Sequence, residues 1–262
     1  MFISALLVSI VASAAEPAPS PAATPEVPPV VAFLADFAQK RDHIQSLTAR
    51  FFQENVTPDE TTPSSGEIIY IKPRRIMFRY ADPEVTYLID GLRVYEYDAQ
   101  LEQVQVYDLG DDPQAEALFL GFDSDTTRLQ QAYDVALVDP EKPDLGKHGL
   151  ELTPKQKPKQ EDAEPVTPLF NKVRLTLRDG DYLPSYIHVF NDNDSEVRIS
   201  VTNVEVNPAL DPKQTQLDLP EGTRIIQNEQ DVETVGPGGK RIPEIAQTDI
   251  APTAPASTET KP

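Results

Sequence analysis

Apolar and polar residues recur at two different periods along this chain. From Val30 the apolar positions Val30, Phe33, Leu34, Phe37, Ile44 and Leu47 return at helical spacing, while Asp36, Lys40, Arg41 and Asp42 fall on the other face. The spacing predicts one amphipathic helix packed on something apolar. From Thr48 the period drops to two, and Thr48–Val56, Glu67–Lys72, Arg75–Tyr80, Val85–Asp90, Leu92–Asp98 and Gln103–Asp108 read as consecutive strands. The links at Asp90-Gly91 and Asp98–Leu101 are short, which makes the strands antiparallel neighbours in a meander. Asp111-Asp112-Pro113 then offers cap and first-turn residues for a short helix, Pro113 to Leu120, ending at Gly121. A second helical piece is expected from Asp125 to Gln131. Strands resume at Tyr133–Val138, Gly149–Thr153, Asn171–Arg178, Tyr182–Asn191 and Glu196–Val206. The fold class is therefore mainly β (α+β), with helices at the start and in the middle of an antiparallel sheet.

The flanks have a different composition. Phe2 to Ala12 is an apolar run of signal-peptide length followed by the small residues Ser13, Ala14 and Ala15, and it is too short to span a bilayer. No Lys or Arg precedes Lys40, so the usual basic leader is missing. The expected organisation is a signal peptide over 1–15, a Pro/Ala-rich linker over 16–29, one domain over 30–228 and a disordered Pro/Thr-rich tail over 229–262. Lys155 to Pro165 also lacks periodicity and is expected outside the core. No repeat of solenoid length is evident.

Charge and chemistry narrow the function. With 43 acidic against 23 basic side chains the formal charge is −20, which repels phosphate backbones and argues against nucleic-acid binding. The absence of cysteine excludes disulfides, thiolate metal sites and an N-terminal lipid anchor on cysteine. His43, His148 and His188 are far apart and lack zinc spacing. Neither a Gly-x-Ser-x-Gly elbow nor a glycine-rich phosphate loop occurs. Asn191-Asp192-Asn193-Asp194-Ser195-Glu196 lacks the glycine and distant glutamate of a calcium loop and reads as a polar hairpin turn. Neither a catalytic residue, a metal nor a cofactor is expected.

Several segments in order resemble one family. They are Leu47-Thr48-Ala49-Arg50-Phe51-Phe52-Gln53, then Ser65-Gly66-Glu67-Ile68-Ile69-Tyr70-Ile71-Lys72-Pro73-Arg74-Arg75-Ile76-Met77-Phe78-Arg79-Tyr80. Pro83, Asp90-Gly91, Val94-Tyr95-Glu96-Tyr97-Asp98 and Leu101-Glu102-Gln103-Val104 follow, with Leu150–Lys155, Val204–Asn207 and Leu219–Gly222 later in the chain. This succession is similar to the LolA-like outer-membrane lipoprotein carriers and covers about Val30 to Ile226. The resemblance implies an incomplete antiparallel β-barrel of about eleven strands, with helices forming a lid over an apolar cavity. It also implies a periplasmic carrier that takes lipoproteins by their acyl chains from an inner-membrane lipoprotein-releasing ABC transporter and hands them to an outer-membrane receptor, acting as a monomer and not as an enzyme.

The same resemblance assigns roles to residues. Ile76, Phe78 and Tyr80, which share a strand face by period two, are the expected cavity wall, with Ile69, Ile71 and Val94 as further members. A one-residue slip would reverse these assignments and bring in Met77. Phe33, Leu34 and Phe37 from the leading helix, with Leu118 and Phe119 from the central one, would form the lid. Arg74, four residues before Phe78, matches the family arginine that locks the lid by hydrogen bonding, with Arg75 as a substitute. Two other readings stay open: a periplasmic lipid- or lipoprotein-sensing domain on the same scaffold, and a secreted hydrolase using a carboxylate pair.

Overall fold

The computed structural model describes residues 29–91, 93–109, 119, 122, 125–155, 170–191 and 194–242. Helix α1 (Pro29–Asp42) leads into six strands: β1 (Ser46–Val56), β2 (Thr61–Ile71), β3 (Arg75–Tyr80), β4 (Val85–Asp90), β5 (Arg93–Asp98) and β6 (Gln103–Asp108). Helix α2 (Thr126–Ala132) precedes five more: β7 (Tyr133–Val138), β8 (His148–Pro154), β9 (Lys172–Leu177), β10 (Pro184–Phe190) and β11 (Glu196–Val206). These eleven strands match the eleven segments of period two, five of them at the same boundaries from Arg75–Tyr80 to Glu196–Val206. The expected helix from Pro113 to Leu120 lies outside the described residues except for Phe119.

Four additional strands follow: β12 (Leu217–Leu219), β13 (Arg224–Gln227), β14 (Gln230–Thr234) and β15 (Lys240–Ile242). The tail expected to be disordered from 229 onward is thus corrected as far as Ile242. Gly222 stands at φ +89°, and Asn228 and Glu229 at +52° and +62° form a two-residue turn that folds β14 back on β13. Val235 and Ile242 are buried, so this segment has apolar anchors despite its Pro/Gly-rich composition.

Thirteen strands form one open sheet in the order β14-β13-β6-β5-β4-β3-β2-β1-β11-β10-β9-β8-β7, and β12 with β15 forms a second, two-stranded sheet. Two meanders, β1–β6 and β7–β11, meet where β1 pairs antiparallel with β11, and β13 joins β6 in parallel. The sheet does not close, so the incomplete barrel becomes an open sheet with β14 and β7 at its edges.

The inner face, the one the helices cover, carries two apolar clusters. Phe37, Leu129, Ala132, Tyr133, Leu150, Leu152, Val173 and Leu175 pack over β7–β10. Ile44, Leu47, Phe51, Ile68, Tyr70, Ile76, Ile89, Phe119 and Phe122 pack over β1–β4. On the outer face, Ile69, Met77, Leu88, Val104 and Val106 are covered by Leu217, Leu219, Ile225, Val235 and Ile242. Helix α1 ends before Ile44 and Leu47, which the sequence placed on it; Leu47 begins the inward positions of β1. Asp125 caps α2 as its side chain accepts from the amides of Thr127 and Arg128.

Candidate functional site

Strand alternation decides what the inner face offers. Ile76, Phe78 and Tyr80 share that face, as the period of two requires, and Val94 joins them through its pairing with Ile89. Ile69 lies in the outer cluster beside Met77, and alternation puts Ile71 on the same outer side. For β2 the register therefore corrects the expectation: its inward residues are Ile68, opposite Phe78, and Tyr70, opposite Ile76. Phe51 fills the centre of this face, edge-on to Tyr80 at 4.9 Å and to Phe78 at 6.1 Å. Gly66 makes room for it: a Cβ there would stand 2.8 Å from the Phe51 ring and 2.0 Å from the Arg79 carbonyl oxygen. Phe78, Tyr80, Val94, Ile187 and Ile199 are only partly buried, so among the described residues the middle of the inner face is a partly exposed apolar surface.

Two covers flank that surface. Over β7–β10 lies α1, with Leu34 and Phe37 buried and Phe33 half-buried against Tyr182 and His148 at ring distances of 4.9 and 5.6 Å. Arg41 shares their stripe, at i+7 and i+4 from Leu34 and Phe37, which overturns its assignment to the polar face. Its side chain is buried, its guanidinium lies 3.9 Å from the Phe37 ring centroid, and Nη2 donates to the Tyr182 carbonyl oxygen. The Tyr182 phenol donates to Asp36 Oδ2 at 2.7 Å, giving the helix a second tie to the β9–β10 turn. Burial and the Asp36 carboxylate push that phenol's pKa up.

The second cover lies over β1–β4. Phe119 is buried there, Phe122 stacks on Tyr70 at 5.7 Å, and the Arg74 guanidinium sits 4.0 Å from the Phe119 ring centroid. Arg74 thus meets a residue of the expected lid through a cation–π contact. Arg75 instead pairs with Asp90 at 3.1 Å across the β3–β4 ladder, which leaves Arg74 as the one at the cover. Leu118 lies outside the described residues.

The three histidines stay apart. His43 is exposed, His148 packs beside α1, and His188 lies on the outer face between Glu141 at 2.8 Å and Glu196 at 3.0 Å. Among the described residues no group of three metal-ligating side chains gathers, and no helix is long and apolar enough to cross a membrane. The segment 191–196 joins β10 to β11, as a hairpin turn should.

The family model described as "Outer membrane lipoprotein carrier protein LolA" matches residues 42–218, more than half of the chain. The chain belongs to the LolA family. The match begins at the end of α1 and stops within β12, so β13–β15 lie beyond it. The outer-membrane lipoprotein carrier protein of Alkalilimnicola ehrlichii is 27% identical over 199 residues, covering 74% of this chain and 83% of the relative. That of Bordetella avium is 29% identical over 205 residues, covering 74% and 88%. A solved LolA superfamily protein from Nitrosomonas europaea superposes with a TM-score of 0.35 at 12% identity, over 70% of this chain and 96% of that one. Membership in the LolA family supports a lipoprotein-carrying role at family level.

Sequence reasoning missed Arg41, Phe51, Phe122 and Tyr182. Arg41 could have been found from its spacing to Leu34 and Phe37, and Phe51 from the glycine that pairs with it across two strands. Tyr182 carried no local signal, because its role depends on a helix more than a hundred residues earlier.

Proposed function

We propose that this chain is a periplasmic carrier that shelters the acyl chains of lipoproteins on the inner face of its sheet. The observation that carries the reading is the partly buried strip Phe78, Tyr80, Val94, Ile187 and Ile199, flanked by helix α1 on one side and by Phe119 and Phe122 on the other, in a chain of this family. Each methylene taken from water contributes about 0.8 kcal/mol, so a strip of this kind can hold a chain that water rejects. A LolA-type route would load it from an inner-membrane ABC transporter and unload it to an outer-membrane receptor, after export directed by residues 1–15. Neither step needs a catalytic group or a cofactor in the carrier.

In this reading Ile76, Phe78, Tyr80 and Val94, with Ile68 and Phe51 added, touch the cargo. Ile69 and Ile71 support the strand from behind. Phe33, Leu34 and Phe37 move with α1, Phe119 moves with the second cover, and Arg74 latches that cover through the Phe119 ring.

The test is native mass spectrometry of the chain purified from a periplasm in which an acylated lipoprotein is co-expressed. The wild type is expected to carry lipoprotein one to one. Phe78→Glu, which sets a charge against the acyl strip, should lower the bound fraction about tenfold or more. Arg74→Leu should release cargo roughly two- to thirtyfold faster, the range of a partly desolvated cation–π contact. A wild-type chain that emerges with no acyl-bearing ligand would overturn the carrier reading.

A further inference from the structure

One face of α1 converges on a single residue of the sheet. Phe33, Asp36, Phe37, Lys40 and Arg41 lie at i, i+3, i+4, i+7 and i+8 along the helix, a spacing that puts them on one side. All five meet Tyr182, in the turn between β9 and β10. The Phe33 and Phe37 rings stand 4.9 and 6.3 Å from its ring, and Lys40 Nζ lies 4.0 Å from the ring centroid. Asp36 accepts from its hydroxyl at 2.7 Å, and Arg41 donates to its carbonyl oxygen. Tyr182 makes these contacts at φ +55°, in the left-handed region that is unfavourable for a residue with a Cβ. The turn holds it there: its amide donates to the Arg178 carbonyl, and the next residue, Leu183, accepts from the Arg178 amide and donates to Asp181 Oδ1. A strained backbone that offers ring, hydroxyl and carbonyl to one helix points to a grip on that helix.

The C-terminal end of α1 is tied separately. Asn207, just after β11, accepts from the Gln45 and Ser46 amides at 2.7 and 3.1 Å and donates to the His43 carbonyl at 3.0 Å. Lys72, just after β2, donates to the Asp42 carbonyl at 3.2 Å. Residues 42–46 are thus fixed to the sheet by bonds that do not involve Tyr182. Beneath the helix lie the buried Leu150, Leu152 and Leu175, and Ile187 packs against both this group and the cluster that holds the partly exposed strip. The floor under α1 is therefore continuous with the surface assigned to the cargo.

We propose that Tyr182 is the catch of a hinged lid: α1 swings about residues 42–46, and its release from Tyr182 adds the floor of Leu150, Leu152 and Leu175 to the cargo surface. What enters rests on the carrier reading, whereas the hinge stands or falls without cargo. This catch is separate from the contact of Arg74 with Phe119, which belongs to the other cover.

Hydrogen exchange of the full chain without ligand reads the hinge. Tyr182→Phe keeps the ring and loses the donor to Asp36; Arg41→Met keeps the bulk and loses the charge. Each should raise the exchange rate of the α1 amides about tenfold, while the amides of β8–β10 keep their wild-type protection. Loading of a triacylated cysteinyl lipopeptide, with a dye at the far end of its peptide, is then followed by fluorescence polarisation. The loading rate should rise by the same factor as the α1 exchange, which a residue that only stabilises the fold would not produce. The chain has no cysteine, so Phe33→Cys combined with His148→Cys supplies its only thiols, at side chains whose rings now stand 5.6 Å apart. Joining them with a short bismaleimide should slow loading about tenfold or more relative to the unjoined pair. Unchanged α1 exchange in both variants, or exchange that rises equally in the strands beneath, overturns the hinge. Loading that ignores the cross-link overturns the floor as cargo surface. A lipopeptide bound by neither wild type nor variants overturns the carrier reading, and the exchange result still decides the hinge.

Discussion

The outer face of the sheet is built in two ways. Behind β2–β6 it is apolar: Ile69, Met77, Leu88, Val104 and Val106 are sealed under the strands that end the described chain. Behind β8–β11 it is a charged ladder, in which Arg174 bonds Glu151 at 2.7 Å and Glu141 at 3.3 Å, His188 bridges Glu141 and Glu196, and Arg198 holds Glu196 at 2.6 Å. Both ring nitrogens of His188 face carboxylates. One half of the sheet therefore has two buried faces and the other has one. The half with two depends on a separate piece of chain to cover it, whereas the ladder can meet water unaided.

The most disruptive way to break this contrast is to remove the cover. Deleting residues 217–262 exposes five side chains that are now buried, at a cost of about 7 to 15 kcal/mol, comparable to the whole stability of a domain. The truncated chain should lose its cooperative urea transition, and a normal transition would show that the layer is dispensable. A sharper comparison sets Leu88→Ala against Arg174→Met. Leu88 is buried on the apolar side, so its truncation should cost about 2 to 5 kcal/mol. The loss of Arg174, whose side chain is partly exposed in the ladder, should cost about 1 kcal/mol. Equal losses in denaturant midpoints would erase the distinction between the halves.

The smallest effect concerns acid. Arg198 first, and then His188, hold the Glu196 carboxyl below the usual carboxylate range. A lowered folded value means that the group stabilises the protein above its unfolded value, about 4.3, and loses that contribution as the pH falls through the folded one. Glu196→Gln should therefore be less stable than the wild type near neutrality and lose less on going to about pH 3, with the two curves converging. Curves that run parallel would remove Glu196 from the acid response.

The same contrast explains what could be read beforehand. The ladder half shows clean alternation, as in Lys172-Val173-Arg174-Leu175, and its strands were legible. In the other half, apolar neighbours such as Ile68-Ile69, Ile76-Met77 and Leu88-Ile89 signal burial on both sides, yet the covering residues are spread through a Pro- and Gly-rich stretch whose strands of three to five residues carry too few positions for a period. Inward and outward residues of β2 were exchanged for the same reason: with apolar side chains on both faces, composition does not fix the register, and only the pairing of Ile68 with Phe78 does. Phe78 itself was legible because the charged Arg75 and Arg79 fall on the opposite side of β3 from it. Arg41 was not, since a charged residue in an apolar stripe becomes intelligible only once Phe37 and the Tyr182 carbonyl are in place beside it.

The junction of the two meanders governs how the chain can assemble. Phe51 lies opposite Val201, so one side of β1 waits about 150 residues for its partner, and contacts so distant in sequence form slowly. During synthesis the first meander is complete before β11 exists, and β1 then presents an open row of amides and carbonyls beside exposed Phe52. Such an intermediate is prone to pair with another chain, so the yield of native protein should fall as the concentration during refolding rises. A chain of this family of carriers thus passes through a stage at which its own edge is unprotected.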